Sequence, residues 1–463
     1  MSPSPFVAWT SLLALWPSAQ ATFTITDPSD VINPADWAAD NAILADYNVT
    51  PILYQTDAIV GPYTYNGQAA NISHATLTVS KNDTSVLVVS NDSDVSVEYS
   101  TIVKYGYSSN LFQASFYGLN AAVNVANGST LSLSNVNITT HHGAANLYTY
   151  GSGSTTYVDN AWLYSSGPTS HGLYAGGNGT VHAQNVVHYS GGNRCSSFSG
   201  DNPAGYIHVQ NAVAHTDGVG SAICYALGLC NMTNVIGHAS HAPVTFSDGV
   251  QTTIWTNSDL TAGLLGGVVL FSSATVESGA SVTFDNSKLT VLGKTMPGLW
   301  FGNIIANANI ISSQINNTAS GILAVANYSQ VTQDFDYYAG YADNNDLSPA
   351  EATINVQEST LSGLLVAYNG SSINFNLTQY STWKGSTQSG FGAAYFGVSL
   401  DATSNWTLTA NTTTLQNFTD ADSTLSNIAS NGFYIRYNST SSANKQWAGK
   451  TISLQGGGSF IPI

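Results

Sequence analysis

The sequence predicts an all-β fold, a right-handed parallel β-helix that forms a single elongated domain with end caps. Three features of the 463-residue chain indicate it. Short alternating segments end in Asn at nearly constant intervals, 42 glycines supply corners between them, and 43% of the residues are apolar. A repeat of this kind is typical of a β-solenoid, because each coil buries its apolar face only against its neighbours.

The repeat is clearest in four segments, which lie at 131–135, 156–160, 181–185 and 207–211. Their last residues, Asn135, Asn160, Asn185 and Asn211, are spaced by 25, 25 and 26 residues, and the series continues less regularly at Asn234, Asn257 and Asn286. Stacked coils would bring these side chains into a ladder of amides at a sharp bend. We therefore interpret these asparagines as structural.

The repeat also sets the domain organisation. It predicts an N-terminal cap over 22–75, the β-helix over 76–400 and a C-terminal cap over 401–463, because solenoid ends need polar caps. A β-sandwich or propeller would need hairpin turns at shorter spacing. An acidic, tyrosine-rich insertion at 334–351 interrupts the coils, and its Tyr337 and Tyr338 are candidate sugar-binding residues.

The N-terminus predicts export. Residues 1–21 combine an uncharged apolar run with a small-residue end at Ala21, the pattern of a signal peptide. We expect a secreted, extracellular protein without a membrane anchor. N-glycosylation is expected at sequons whose asparagines are Asn48, Asn71, Asn82, Asn91, Asn127, Asn137, Asn178, Asn231, Asn316, Asn327, Asn369, Asn376, Asn405, Asn411, Asn417 and Asn438.

The charge of the chain narrows the range of its possible binding partners. The formal charge is −17, with 9 basic against 26 acidic residues, so nucleic acid and strongly anionic polymers are poor partners. A neutral extracellular glycan or cell-wall polymer fits better, and we expect a monomer.

Three cysteines allow one disulfide, either Cys224–Cys230 or Cys195–Cys224, and the sequence does not choose between them.

Two segments, 128–140 and 170–186, resemble coils of the pectin-lyase-like β-helix superfamily. They are most similar to exported, adhesin-like bacterial β-helix proteins of undefined function, and the resemblance covers roughly residues 90 to 380. It implies the fold and leaves the activity open. The Asn-Thr-Asp, Asp-Asp and Gly-His-Gly segments of polygalacturonase-type β-helices are absent, so no catalytic residue is carried over.

Histidine placement gives the candidate site. Of ten histidines, only His74 lies outside 141–241. Aligned on the asparagines, Tyr157, His182 and His208 occupy one position in successive coils, which predicts either an acid/base face or a structural ladder of stacked rings. The candidate catalytic residues are His182, His208, Arg194 and Asp201, and the candidate substrate-binding residues are Tyr157, His171, Tyr206, Tyr337 and Tyr338. No compact metal motif or cofactor signature is present, so neither is expected.

Three functions remain open. A hydrolase or lyase acting on a neutral glycan would need two carboxylates, for which Asp201, Asp217 and Asp248 near the histidines and Asp334, Asp336 and Glu351 in the insertion are candidates. A non-catalytic glycan-binding or adhesin-like wall protein explains the missing catalytic signature. An isomerase or cyclisation enzyme for an exported small molecule is a third reading.

Overall fold

The computed structural model describes residues 55–327 and 347–463, except 144, 202, 226 and 274. It confirms the predicted fold class, because parallel strands stack as a β-solenoid of about 15 turns. The described residues group into two compact units, 55–241 and 242–463. The proposed signal peptide, residues 22–54 of the predicted cap, Asn48 and most of the 334–351 insertion, including Tyr337 and Tyr338, lie outside the described residues.

The first unit contains two parallel sheets. One sheet is built from β1 (Tyr63–Asn66), β4 (Leu87–Ser90), β7 (Val123–Ala126), β9 (Leu147–Tyr150), β11 (Leu173–Gly176), β13 (Phe198–Ser199) and β15 (Cys224–Tyr225). The other contains β2 (Ala69–Ser73), β3 (Thr76–Val79), β5 (Asp94–Glu98), β6 (Thr101–Lys104), β8 (Thr130–Thr140), β10 (Thr155–Ser165), β12 (Thr180–Ser190), β14 (Gly205–Thr216) and β16 (Gly228–Ala239).

A short helix, α1 (Leu111–Tyr117), interrupts the coils of this unit. The side chain of Asn110 caps its first turn by accepting from the backbone N–H of Gln113 at 3.0 Å. Gly118 ends it with φ 73°, a left-handed conformation that glycine adopts without strain. The helix therefore begins and ends on local sequence signals.

The second unit contains three sheets. The first holds β17 (Thr245–Asp248), β20 (Val268–Phe271), β23 (Leu299–Gly302), β26 (Ile322–Asn327), β29 (Leu364–Ala367) and β32 (Thr387–Ser389). The second holds β18 (Gln251–Thr256), β19 (Asp259–Ala262), β21 (Glu277–Asp285), β22 (Lys288–Val291), β24 (Ile304–Ile311), β25 (Gln314–Asn316), β27 (Glu351–Gln357), β30 (Ser372–Thr378), β33 (Tyr395–Leu400), β35 (Leu415–Asp420), β37 (Tyr434–Tyr437), β38 (Ile452–Ser453) and β39 (Ser459–Pro462).

The third sheet contains β28 (Thr360–Ser362), β31 (Thr382–Gly385), β34 (Asn405–Leu408) and β36 (Ile428–Ala429), and a 3₁₀ turn spans Ser442–Trp447. Among the strand pairs described within the two units, β38 and β39 alone run antiparallel. Parallel pairing begins at Tyr63 and reaches Pro462, so strands also occur in segments predicted to be caps.

The predicted asparagine ladder is present. In β10, β12, β14 and β16 the bend residue has φ between 55° and 57°, a left-handed conformation that asparagine tolerates well. Each amide bonds to the preceding coil: Asn160 to Asn135 at 2.6 Å, Asn211 to Asn185 at 3.3 Å, and Asn234 to Asn211 at 3.0 Å. Asn185 instead donates to Asp159, at 3.0 Å.

The bend changes which side chains face inward. In β12, Val181 and Ala183 are buried before Asn185, whereas Val186 and His188 are buried after it. A strict alternation of period two would place Val186 and His188 outside. The left-handed residue shifts the alternation by one position, and this shift keeps both legs of the strand packed on the interior.

The second unit contains a serine ladder, which was not predicted from the sequence. Its members follow the corner residue of successive coils, and each backbone N–H donates to the serine hydroxyl of the next coil. The bonds run from Ser258 to Ser287 (3.0 Å), Ser287 to Ser313 (2.9 Å), Ser313 to Ser359 (2.9 Å) and Ser359 to Ser381 (3.4 Å). The ladder satisfies buried corner N–H groups that the sheets leave unpaired.

Candidate functional site

Strand register in the first unit aligns outward side chains into columns across five strands. The histidine column consists of Ser132, Tyr157, His182, His208 and Asn231. The amide column beside it consists of Ser134, Asp159, Gln184, Gln210 and Thr233. These columns confirm the predicted alignment of Tyr157, His182 and His208.

The rings of the histidine column stack on one another. The centroids of Tyr157 and His182 lie 5.3 Å apart and those of His182 and His208 lie 4.9 Å apart, and each pair is inclined by 12°. Because neighbouring rings cover each other's faces, the column presents ring edges to solvent. The edges carry the Tyr157 hydroxyl and the imidazole nitrogens, which are hydrogen-bonding groups.

The two columns line an open groove of ≈ 580 Å³. All ten column residues border it, and the backbone neighbours Leu133, Val158, Ala183 and Val209 complete it. Tyr157 is 49% exposed, so its ring is available to a ligand. The structure therefore joins three of the predicted site residues in one surface.

The groove is nearly neutral in its described lining. Asp159 is its one carboxylate there, and it accepts a hydrogen bond from the Asn185 amide at 3.0 Å. Burial, together with the neighbouring His182, lowers the pKa of His208, so this imidazole stays neutral further into mild acid than an ordinary histidine. The remaining polar side chains are amides, hydroxyls and imidazoles.

Tyr206 lies on the same face but outside the groove lining. Its register partners are Thr180 and Leu229, so it belongs to a third column two residues from His208. Its ring is 40% exposed. Tyr206 therefore lies at the margin of the groove, and its substrate-binding role stays a prediction.

Arg194 and Asp201 do not join the histidines. Arg194 lies in the turn after β12, where its backbone N–H donates to Val219 at 3.0 Å. Asp201 follows β13, on the other sheet, and accepts from the Tyr225 hydroxyl at 3.3 Å. Both residues lie in the corner between β12 and β14, and neither lines the groove with His182 and His208.

His171 is buried away from the groove. Its ring centroid lies 5.5 Å from that of Tyr174, and burial lowers its pKa to about 3. His188, on the inner side of β12, lies 3.0 Å from Ser165 Oγ and 2.8 Å from Ser197 Oγ. Burial and the nearby His171 lower the pKa of His188 to about 3, so both are neutral interior groups.

A second cluster surrounds Asp217, beyond the asparagine bends. His215 Nε2 lies 3.0 Å from Asp217 Oδ1, the Ser240 hydroxyl donates to the same oxygen at 2.5 Å, and the Tyr189 hydroxyl donates to Oδ2. Burial acts to raise the pKa of Asp217, but these bonds and the charge of His215 hold it well below its usual range. The carboxylate is a fixed acceptor and a weak base.

The sequence carried a signal for this second cluster. An aromatic or histidine side chain stands four residues after the bend asparagines of β10, β12, β14 and β16, at Tyr164, Tyr189, His215 and His238. Strand register aligns them, with Tyr189 beside His215 and His215 beside His238. The regularity is not visible when only the residues before the bends are aligned.

The three cysteines are buried thiols, so the expected disulfide is not formed. Cys195 Sγ lies in the turn, 2.7 Å from the Gly167 carbonyl oxygen. Burial and the hydrogen bond with Cys224 raise the pKa of Cys230 well above its usual range. In the described part of the chain, no group of three or more His, Cys, Asp or Glu side chains is arranged to hold a metal ion.

Comparison with known proteins adds no assignment. No protein-family model matches the chain, and no curated protein matches its sequence. Within the described residues, no helix has the length and apolar character needed to cross a membrane.

Proposed function

We propose that the first unit binds a neutral, hydroxyl-rich polymer, an extracellular glycan, along its groove without cleaving it. The observation that carries the proposal is the pairing of the histidine column with the amide column. Together they repeat hydrogen-bonding groups at one spacing across five strands. A repeating polymer matches such an array, because each of its units meets the same kind of side chain.

The chemistry of the array suits hydroxyl groups. Imidazoles, amides and hydroxyls both donate and accept hydrogen bonds, as sugar hydroxyls do. The stacked rings offer edges more than faces, so hydrogen bonding, and not ring stacking, is the main mode of contact. The low content of basic residues and the −17 charge disfavour an anionic polymer.

The dimensions suit an extended ligand. From Ser132 to Asn231 the histidine column crosses four inter-strand steps of ~4.8 Å, or about 19 Å in all. The groove is open to solvent. An isomerase for a small molecule would instead bury its substrate in an enclosed cavity.

Binding is favoured over hydrolysis by the carboxylates. Glycoside hydrolysis ordinarily needs two carboxyl groups flanking the scissile bond. Asp159 is the only one in the described groove lining, and its Oδ1 is engaged by Asn185. The resemblance of two segments to exported, adhesin-like β-helix proteins supports the same conclusion, and the proposed signal peptide supports an extracellular ligand.

The test is binding of the full chain, made without glycosylation, to a panel of immobilised neutral polysaccharides. We expect His182→Ala and His208→Ala each to weaken binding at least about tenfold, a loss of ~1.4 kcal/mol. His74→Ala is the matched control, because His74 also stacks on a tyrosine, Tyr99, at 5.2 Å but lies outside the groove. Its affinity should equal that of the wild type.

Three outcomes would overturn the proposal. Failure of the wild-type chain to bind any neutral polysaccharide would remove it, and so would wild-type affinity in both groove variants. Release of new reducing ends during the incubation would replace binding by catalysis as the function of the groove.

A further inference from the structure

We propose that Asn231 carries an N-linked glycan that occupies one end of the groove and competes there with the polymer. This inference rests on the proposed function and on the proposed export. A glycan attached at this position competes with the polymer for the groove. Glycosylation of Asn231 would therefore determine the affinity of the groove for the polymer.

The sequon lies within the groove itself. Asn231, Met232 and Thr233 form an Asn-x-Thr triplet on β16, where Met232 points into the core and is fully buried. Asn231 and Thr233 point outward, in register with His208 and Gln210. Among the sequons in the described residues, this one alone contributes its asparagine to the groove lining.

The Asn231 amide is available for modification. Asn234, on the same strand, donates its Nδ2 to Asn211 in the ladder at 3.0 Å. The Asn231 side chain is partly buried, and no hydrogen bond among the described residues involves it. Modification at Asn231 therefore breaks no side-chain hydrogen bond of the described structure.

The modification is an ordinary group transfer. An oligosaccharide moves from a polyprenyl pyrophosphate donor to Asn231, so the bond between its anomeric carbon and the donor oxygen breaks and a bond to Nδ2 forms. One amide proton leaves with the transfer, and the pyrophosphate is the leaving group. The product is a bulky, hydrated group at the surface.

Attachment at Asn231 places sugar hydroxyls against groups that the groove offers to its ligand. His208 is one inter-strand step away, ~4.8 Å along the column. A tethered ligand has an effective concentration of about millimolar. Where that concentration exceeds the dissociation constant of the glycan for this end of the groove, the glycan occupies it and weakens the binding of a free polymer.

The experiment compares the full chain secreted by a glycosylating eukaryotic host with the chain made without glycosylation. Mass spectrometry of the Asn231 peptide measures occupancy, which should be high. Asn231→Gln should raise the affinity of the secreted protein for neutral polysaccharide at least about tenfold. The same substitution should give no gain in the unglycosylated chain, where Asn231 is one of the polar side chains of the groove itself. The second comparison separates loss of the glycan from the change of side chain.

Asn71→Gln is the matched control. Asn71 belongs to a sequon on the same face and aligns through Ser96 with Ser132, but it lies outside the groove lining. Its removal from the secreted protein should leave the affinity unchanged. An equal gain for both variants would overturn the proposal, because it would show a general effect of glycans.

The remaining outcomes separate this proposal from the one on which it rests. An unoccupied Asn231 overturns it, and so does an occupied Asn231 whose substitution leaves the affinity unchanged. In either case, binding by the unglycosylated chain would keep the proposed function intact. Absence of binding by the unglycosylated chain would overturn both proposals.

Discussion

His182 and His188 lie on one strand, β12, yet they have opposite environments. His182 stacks between Tyr157 and His208 on the groove surface. His188 is buried between two serine hydroxyls, and its pKa is lowered to about 3. The left-handed Asn185 between them shifts the alternation by one residue. The comparison shows that the bend, and not the residue type, determines which imidazoles lie on the groove surface and which are buried.

The largest effect is expected for the inner histidine. His188→Ala would leave a cavity and remove the partner of Ser165 and Ser197, so we expect the free energy of unfolding to fall by about 3 kcal/mol. His182→Ala should lower it by less than about 0.5 kcal/mol, because a partly exposed surface residue contributes less than a buried one. Denaturant unfolding of both variants measures the difference. Equal losses would show that the two environments are energetically alike.

The next effect concerns the bend itself. Asn211 has φ 57°, donates to Asn185 and accepts from Asn234. Asn211→Ala should lower the free energy of unfolding by about 2 kcal/mol, from lost hydrogen bonds and a strained backbone. Asn211→Gly removes the amide but tolerates the backbone, so about 1 kcal/mol is expected. Thermal unfolding of the two variants measures the difference. An equal loss of stability in both would show that the left-handed backbone conformation does not contribute to the effect of Asn211→Ala.

A smaller effect is expected at Asp217, on the outer side beyond the bends. Asp217→Asn should lower the free energy of unfolding by roughly 1 kcal/mol, a figure kept low because solvent screens this partly exposed group. The pKa of Asp217 is lower in the folded chain than its usual value of 3.8. Its stabilisation is therefore present above that pH and is lost as the pH falls below it towards the folded pKa.

Unfolding of the wild type and Asp217→Asn between pH 7 and pH 2 measures this dependence. Their difference should shrink in acid. A difference that stays constant with pH would exclude the carboxylate charge as the source of the stabilisation.

The sequence predicted the repeat, the asparagine ladder and the alignment of Tyr157, His182 and His208. Those features depend on spacing between equivalent coils, which is directly visible in the chain. The positions of Arg194, Asp201 and His171 could not be predicted in this way, because they lie in corners whose path no period specifies. The inner position of His188 required knowledge that Asn185 is left-handed.

The Asp217 cluster shows a different limit. Tyr189 and His215 could have been aligned by counting from Asn185 and Asn211, but Ser240 and Asp217 come from turns. Their hydrogen bonds depend on how two successive turns stack. Pattern alone therefore finds the columns and misses the groups that the turns bring to them.

The length of the proposed binding surface is set by the number of coils that contribute to the two columns. Each coil adds one side chain to the histidine column and one to the amide column, so an in-frame duplication of residues 161–185 would extend both by a single step of ~4.8 Å. Neighbouring coils would keep their register, because each contacts only the next. If the proposed function is correct, gain or loss of single coils is a route by which evolution, or a protein engineer, would adjust the length of polymer that the groove binds.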